Sequence, residues 1–484
     1  MLKPSLTLAR SSRIAINCKY LAFTAFAIST TRALAKAHNV AGSWRTLRIL
    51  LPIFPRITLA LMSDFTRSLL LHLQLISPTS ARIIEPTIEK FDPSGMLTGI
   101  SLEYTPPECA RSAVTQSVLA LQRGKIDKYT TLDFIEPLTL PDGGRVALAW
   151  SRQSDCLPAD APVALMLHGL AGNEKVGYVR RFAHRAISYG FRPVLMVRRG
   201  HGDLSIEVPD RSISETLEND VLKHCERCSL DAKRMWPRYS ESYDLRQVVK
   251  HLKHDRLRSD VQLVAVGFSA GSNMLAKALG EPGEAADELN RNVCAAVSLA
   301  NGFDIASGEP LLRSSAPDLN ALLTLLVKRM YRRNERAIVS ETSKSFSQSS
   351  HQHHKRRILQ CSTLRELDEN TAVPMYGYKS ADEYYEASSC KDELCNVRTP
   401  LCIINARDDP FINEELLDLA RSAVRQNSEY LSLLISSHGG HMAWVQKGSD
   451  TSSWSDDISL QFLFNQLQRQ REGRSDKRDV PTKE

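Results

Sequence analysis

A serine set between two glycines, Gly267-Phe268-Ser269-Ala270-Gly271, directly follows the apolar run Val261 to Val266. A helix-like stretch, Ser272 to Leu279, comes after it. An extended strand running into Gly-x-Ser-x-Gly and then into a helix lifts a serine onto a sharp turn as a nucleophile. Backbone on such a turn is crowded, so the residues two places to either side must be almost free of side chain. A helix starting just after the serine aims unpaired N–H groups at the place where negative charge develops in acyl transfer. The chemistry suggested is nucleophilic attack on an acyl carbon.

Serine is a weak nucleophile on its own and needs a base, an acid to orient the base, and donors for the oxyanion. The segment Pro400 to Ala406 reads as an apolar strand, with Arg407-Asp408-Asp409-Pro410 at its end. Leu431 to Ile435 reads as the next strand, followed by Ser436-Ser437-His438-Gly439-Gly440-His441. The order Ser, Asp, His suits a serine on this kind of turn. Asp409 is preferred to Asp408 because it directly precedes the turn Pro410-Phe411-Ile412, leaving Asp408 as a helix cap or solvated turn residue. His441 is preferred to His438 because paired glycines precede it and permit close approach. For the oxyanion, one donor is the amide after the nucleophile, Ala270. The second is expected from the loop after the strand Pro162 to Leu167, in His168-Gly169-Leu170-Ala171-Gly172, where Leu170 is the candidate. His168 itself reads as a structural residue under that loop.

Strand-like runs alternate with helical stretches at Val176–Tyr189, Tyr243–His254 and Ser272–Leu279. This predicts an α/β fold with a mostly parallel central sheet flanked by helices. The alternation breaks between the strand near Val297 and the strand at Leu401. There Pro317–Arg332 reads as an apolar helix with proline in its first turn. A helical lid over about 303–390 is expected.

Taken together, the pattern resembles the YheT-like group of the α/β-hydrolase (AB hydrolase) superfamily. The matching pieces are Leu140-Pro-Asp-Gly-Gly144, His168 to Gly172, Tyr178-Val-Arg180, Val197-Arg-Arg-Gly-His-Gly202 and Tyr243-Asp244-Leu245. Thr363 to Asp368, Tyr376-Gly-Tyr378, Tyr384-Tyr385, Ala387 to Ser389, Asn405 to Pro410 and Gly439-Gly-His441 continue it. The resemblance spans roughly residues 130 to 465 and implies Ser269 as nucleophile, Asp409 as acid partner and His441 as base. It implies an esterase or lipase acting on acylglycerols, phospholipids or small esters, with no cofactor and no metal. Two segments depart from the pattern: 205–238, which carries Cys225 and Cys228, and the polar, histidine-rich 332–360.

The chain has 484 residues, a net charge of +7 and ten cysteines. Its domains are read as a basic, acid-poor extension over 1–80, a hydrolase domain over 125–465 and a disordered basic tail over 466–484. Residues 1–63 contain no Asp or Glu but carry Arg10, Arg13, Lys19 and Arg32 among hydroxyl and apolar residues. That composition suits an organellar (for instance mitochondrial) transit peptide or an anchor on a membrane surface, with a cytoplasmic protein as the alternative. It accounts for the positive charge without a nucleic-acid partner, for which no aromatic and basic module is present. The scattered cysteines form no disulfide framework; Cys294 and Cys402 fall inside strands as core residues. Cys225 and Cys228 lack a second ligand pair for zinc, and His351, His353 and His354 read as a solvated loop. The expected partner is an ester or lipid substrate, with a membrane surface as a further one. The expected activity is ester hydrolysis through an acyl-enzyme. The alternatives are transfer of the acyl group to an alcohol, and a non-catalytic binding protein that keeps the same scaffold.

Overall fold

The protein's computed structural model describes residues 86–107, 110, 112–123, 129–202, 236–342, 348–449 and 452–478. The basic N-terminal extension, Cys225 and Cys228, and residues 343–347 lie outside them. The strands are β1 (Ile88–Phe91), β2 (Phe134–Thr139), β3 (Arg145–Trp150), β4 (Val163–Leu167), β5 (Arg192–Val197), β6 (Leu263–Phe268), β7 (Val293–Leu299), β8 (Leu401–Ala406) and β9 (Leu431–Ser436). They form one sheet in the order β1-β9-β8-β7-β6-β4-β5-β3-β2. The six strands from β5 across to β9 are mutually parallel; β1, β2 and β3 each run antiparallel to a neighbour.

The residue types account for this arrangement. Parallel strands covered by helices on both faces must be apolar throughout, and every residue of β4, β6, β8 and β9 is buried. Along β6, Leu263 and Ala265 join one core layer while Val264, Val266 and Phe268 join the layer on the opposite face. Each fully buried Leu, Val or Phe among them contributes about 1.5–3 kcal/mol. At the sheet's edge β2 alternates between exposed and half-buried residues and contains Pro137, which an interior strand would not tolerate.

From β4 the chain goes to β5 on one side and returns to β6 on the other. Such a reversal opens a crevice at the carboxyl ends of the two strands. Gly169 follows β4 there and Ser269 follows β6.

Between β7 and β8 lies a helical insertion whose core includes Tyr331, Tyr384 and Tyr385, with Trp236 from the β5–β6 connection packed into it. Its long helix, Pro317–Thr342, starts on the proline. The two ends of the insertion meet, the Cys390 N–H donating to the Phe303 carbonyl at 3.0 Å. The stretch expected to be a solvated loop is largely helical, since Gln348–Gln360 forms a second helix carrying His351, His353 and His354. Lys355 pairs with Glu335 across the two helices, and Ile358 is buried between them. Lys, Arg and Gln are strong helix formers, so a polar composition did not exclude helix.

The C-terminal segment is a second correction. Residues 466–478 continue the helix Trp454–Arg478 instead of forming a disordered tail. Leu460, Phe462, Leu463 and Leu467 bury its first half. The polar residues beyond them dock on the domain: Gln470 Nε2 donates to the Cys294 carbonyl at 2.9 Å and Arg471 Nε to Gln262 Oε1 at 2.9 Å. Once the buried turns nucleate the helix, each further residue adds at little cost.

Near the start of that helix, Asp456 is fully buried and ion-paired with buried Arg181 of the helix Gly177–Ser188. Asp456 accepts from both Nε and Nη2 of the guanidinium, and Nη2 also reaches Ser453 Oγ at 3.2 Å. Arg181→Ala strands a buried carboxylate and is expected to cost about 3–5 kcal/mol in urea unfolding. Replacing the pair together, Arg181→Met with Asp456→Leu, is expected to cost much less.

Candidate active site

Ser269 sits at φ 52°, ψ −119°, a conformation costing a non-glycine residue about 1–3 kcal/mol. Its own N–H donates to the Leu299 carbonyl at 2.9 Å, and its carbonyl accepts from the Ser272 and Asn273 amides at 2.9 and 3.1 Å. The flanking glycines are fixed by close approach. A Cβ on Gly267 would collide with the Ser272 backbone, and one on Gly271 with the carbonyl oxygens of Leu167 and His168. Ala270 is the first residue of the helix Ala270–Gly280, where an amide has no partner within the helix.

His441 Nε2 lies 2.8 Å from Ser269 Oγ, and its Nδ1 lies 2.8 Å from Asp409 Oδ2. An ionised carboxylate only accepts, so Nδ1 carries the proton and Nε2 is left free to accept from the serine hydroxyl. The Asp409 side chain is fully buried, and its other oxygen accepts the Phe411 N–H at 2.9 Å. The Phe411 ring lies against the imidazole with centroids 4.4 Å apart. That contact had no signal in the sequence beyond the neighbouring Asp409-Pro410.

Asp408 is neither a helix cap nor a solvated turn residue. Its Oδ1 accepts the Gly440 N–H at 2.8 Å, tying down the loop that carries His441. Burial, with Asp409 alongside, pushes its carboxyl up to about 6. The paired glycines serve the packing of that loop rather than its approach to the serine. A Cβ on Gly439 would strike the Trp444 indole, and one on Gly440 would lie 2.9 Å from the Ala113 carbonyl. His438 hydrogen-bonds Ser437 Oγ at 2.8 Å.

The loop after β4 is a turn closed by the Gly172 N–H to the Gly169 carbonyl at 3.1 Å, with Leu170 and Ala171 at its corners. Gly169 packs directly on the elbow, its absent Cβ 3.2 Å from Ser269 Cβ. Its N–H donates to the Tyr178 hydroxyl at 2.9 Å. His168 lies beneath. It accepts the Arg198 N–H on Nε2 at 3.2 Å, so Nδ1 carries the proton and donates to the Gly169 carbonyl at 2.8 Å. Burial, reinforced by the Arg198 charge, lowers its pKa to about 3, so the ring stays neutral. His201 packs against it at 4.8 Å between ring centroids.

Three of the scattered motifs meet at one buried ion cluster. Arg199 donates to Asp142 Oδ2 at 2.6 Å and to Asp244 Oδ2 at 2.7 Å. Backbone conformation also marks the region. Among the described residues, the non-glycine residues at positive φ are Ala171, Ser269, Ala300, Phe303, Met442 and Trp444. All lie in the segments leaving the carboxyl ends of β4, β6, β7 and β9, where strain of this kind gathers at functional sites.

No family model matches the chain. Over 351 residues it is 26% identical to the abhydrolase domain-containing protein 2 of Drosophila melanogaster, covering 71% of this chain and 79% of that protein. It is 24% identical over 372 residues to the mouse monoacylglycerol lipase ABHD2, covering 75% and 80%. The embryogenesis-associated protein EMB8 of Picea glauca is 26% identical over 68% of this chain, and the match spans 65% of its own length, just under two thirds. The nine-stranded, mostly parallel sheet flanked by helices is the α/β-hydrolase fold. Among solved structures, the Pyrococcus furiosus esterase Pf2001 is 12% identical over 69% of this chain and 91% of its own, with a TM-score of 0.38.

A cavity opens beside the elbow, lined by Leu170, Ser269, Ala270 and His441 at one side and by Leu312, Leu319 and Leu323 of the insertion at the other. Its wall is mostly hydrocarbon. Tyr239 and Tyr385 edge it, their hydroxyls donating to Asp368 Oδ2 at 3.0 and 2.9 Å. Burial pushes the Asp368 carboxyl up to about 7. Among the described residues no group of three or more His, Cys, Asp or Glu side chains could hold a metal ion, and no helix is long and apolar enough to cross a membrane.

The neutral His168 makes a pH prediction. The folded protein resists protonating it until about pH 3, whereas the unfolded chain takes up the proton below about 6.5. Its contribution is therefore complete above pH 6.5 and is lost as pH falls towards 3, by up to about 1.4 kcal/mol per unit. The stability advantage of the wild type over His168→Gln is expected to shrink by about 2 kcal/mol between pH 6.5 and 5, measured by denaturant unfolding.

Proposed function

We propose that this chain is a serine carboxylic ester hydrolase that works through an acyl-enzyme, with Ser269 as nucleophile, His441 as base and Asp409 as its orienting partner. The observation that carries this is the continuous relay of two 2.8 Å hydrogen bonds from Asp409 through His441 to Ser269. It ends on a serine at positive φ beside an apolar cavity.

In the acylation step Ser269 Oγ attacks the ester carbonyl carbon while His441 Nε2 takes the hydroxyl proton. Asp409 stabilises the imidazolium. The oxyanion is held by the amides of Ala270, at the helix start, and Leu170, in the turn after β4. As the tetrahedral species collapses, the C–O bond to the alcohol breaks and His441 returns its proton to the leaving oxygen. Water then attacks the acyl-serine, giving its proton to the same nitrogen; the acid departs and Oγ is reprotonated. The helical insertion acts as a cap that closes the apolar cavity over the acyl chain. Acylglycerol-type and other lipid esters are the favoured substrates, from the hydrocarbon wall and from the mouse relative's name.

Ser269→Ala is expected to lower turnover of a chromogenic acyl ester by at least about 10⁴-fold and to abolish labelling by a fluorophosphonate, with the unfolding midpoint retained. Asp409→Asn is expected to lose about 10³- to 10⁴-fold, and Asp408→Asn less than tenfold, because the amide oxygen can still accept from Gly440. The reverse order in the two aspartates would transfer the orienting role to Asp408. Full labelling of Ser269→Ala would sink the nucleophile assignment.

A further inference from the structure

Two polar side chains lining the cavity are buried without the hydrogen bonds their oxygens require. Glu309 lies inside the helix Ile305–Ser315 and is only 6% exposed, yet neither carboxylate oxygen accepts a hydrogen bond. Arg313 Nε at 3.3 Å and Arg365 Nη1 at 3.8 Å offset part of its charge. Asn273 stands one turn after Ser269 on the elbow helix and is 3% exposed. Its Nδ2 donates to the Ser388 carbonyl at 2.8 Å, which fixes the amide's orientation and leaves Oδ1 unpartnered. A buried acceptor left unsatisfied costs about 1–3 kcal/mol, and more when charged, so two in one cavity ask for a ligand that brings donors.

The neighbouring groups narrow what that ligand is. Tyr239 and Tyr385 already donate their hydroxyl hydrogen bonds to Asp368. Asp304 is satisfied by the Ala306 and Ser307 amides and by Lys391. The unpartnered polar atoms of the lining side chains are thus acceptors. A phosphate or carboxylate, which brings negative charge and only acceptors, does not suit them. A quaternary ammonium brings no donor for the neutral Asn273 oxygen. Hydroxyl groups suit both.

We propose that Glu309 and Asn273 form a binding subsite for an uncharged, hydroxyl-bearing alcohol portion of the substrate ester, as in a partial ester of a polyol. The inference rests on the ester-hydrolase reading with its acylglycerol preference and adds to it the residues that select the alcohol portion. Sites built to hydrogen-bond a substrate hydroxyl discriminate strongly against analogues that lack it.

The test compares kcat/KM for three esters of one acid, monodecanoylglycerol, ethyl decanoate and decanoylcholine, with fluorophosphonate labelling and thermal unfolding run in parallel. The wild type is expected to prefer the glycerol ester. In Glu309→Gln and Glu309→Leu the ratio of glycerol to ethyl ester is expected to fall about tenfold, as for loss of one hydrogen bond to a charged group. A wild type that is labelled but does not favour the glycerol ester, or favours the choline ester, overturns this inference and leaves the hydrolase reading standing. So does an equal loss on glycerol and ethyl esters in both variants, which would make Glu309 a structural residue. A folded wild type that is neither labelled nor active on any of the three overturns the hydrolase reading and this inference with it.

Discussion

The close contact of two backbones at the carboxyl ends of β4 and β6 is the constraint from which the site follows. With glycine at 271, the first turn of the elbow helix rests directly on the Leu167 and His168 carbonyls. With glycine at 169, the neighbouring loop rests on Ser269 itself. No larger side chain intervenes, so the serine, the helix start and the Leu170 turn are held by direct backbone approach. Strain at Ser269 can persist because the surrounding parallel strands, buried on every residue, leave the backbone nowhere to relax. A side chain at either glycine would push apart the two elements the chemistry needs adjacent.

Around that contact lies a buried polar framework. The neutral imidazole of His168 ties the Gly169 carbonyl to the Arg198 amide, and the Tyr178 hydroxyl receives the Gly169 N–H. Arg199, one residue on, draws together Asp142 and Asp244 from two other connections. Buried charges of this kind contribute little net stability, but removing one partner is costly. Their role is to fix where loops go. Among the side chains that line the cavity, the buried atoms left unpaired are those of Glu309 and Asn273.

Much of the frame was legible in the sequence because parallel strands announce themselves. The runs at β4, β6, β8 and β9 are continuous and apolar, and each is followed by its glycine, serine, aspartate or histidine loop. The edge strands were not: β1 is four residues with none buried, and β2 leaves Phe134 and Ile135 exposed and carries a proline. The choice between Asp408 and Asp409 hinged on a turn, whereas what separates them in the fold is burial and direction, which no local pattern encodes. Glu309 had no signature at all, since a glutamate in a helix reads as a surface residue until the cavity behind it is known. The C-terminal helix and Gln348–Gln360 are hidden for the opposite reason. Their charge and polarity read as solvation, while Leu463, Leu467 and Ile358 supply enough burial to order both.

The hydrogen bond between Cys390 and Phe303 closes the insertion at its neck. An excursion whose ends already touch places no demand on the register of β7 against β8, whatever its length or content. Lengthening such a loop costs little, since closure entropy grows only with the logarithm of its size. The elbow with its relay and the insertion's share of the cavity wall are therefore separable units of inheritance. Descendants of this scaffold could exchange one cap for another through the same gate and acquire a new diet while leaving the elbow, the relay and the sheet untouched.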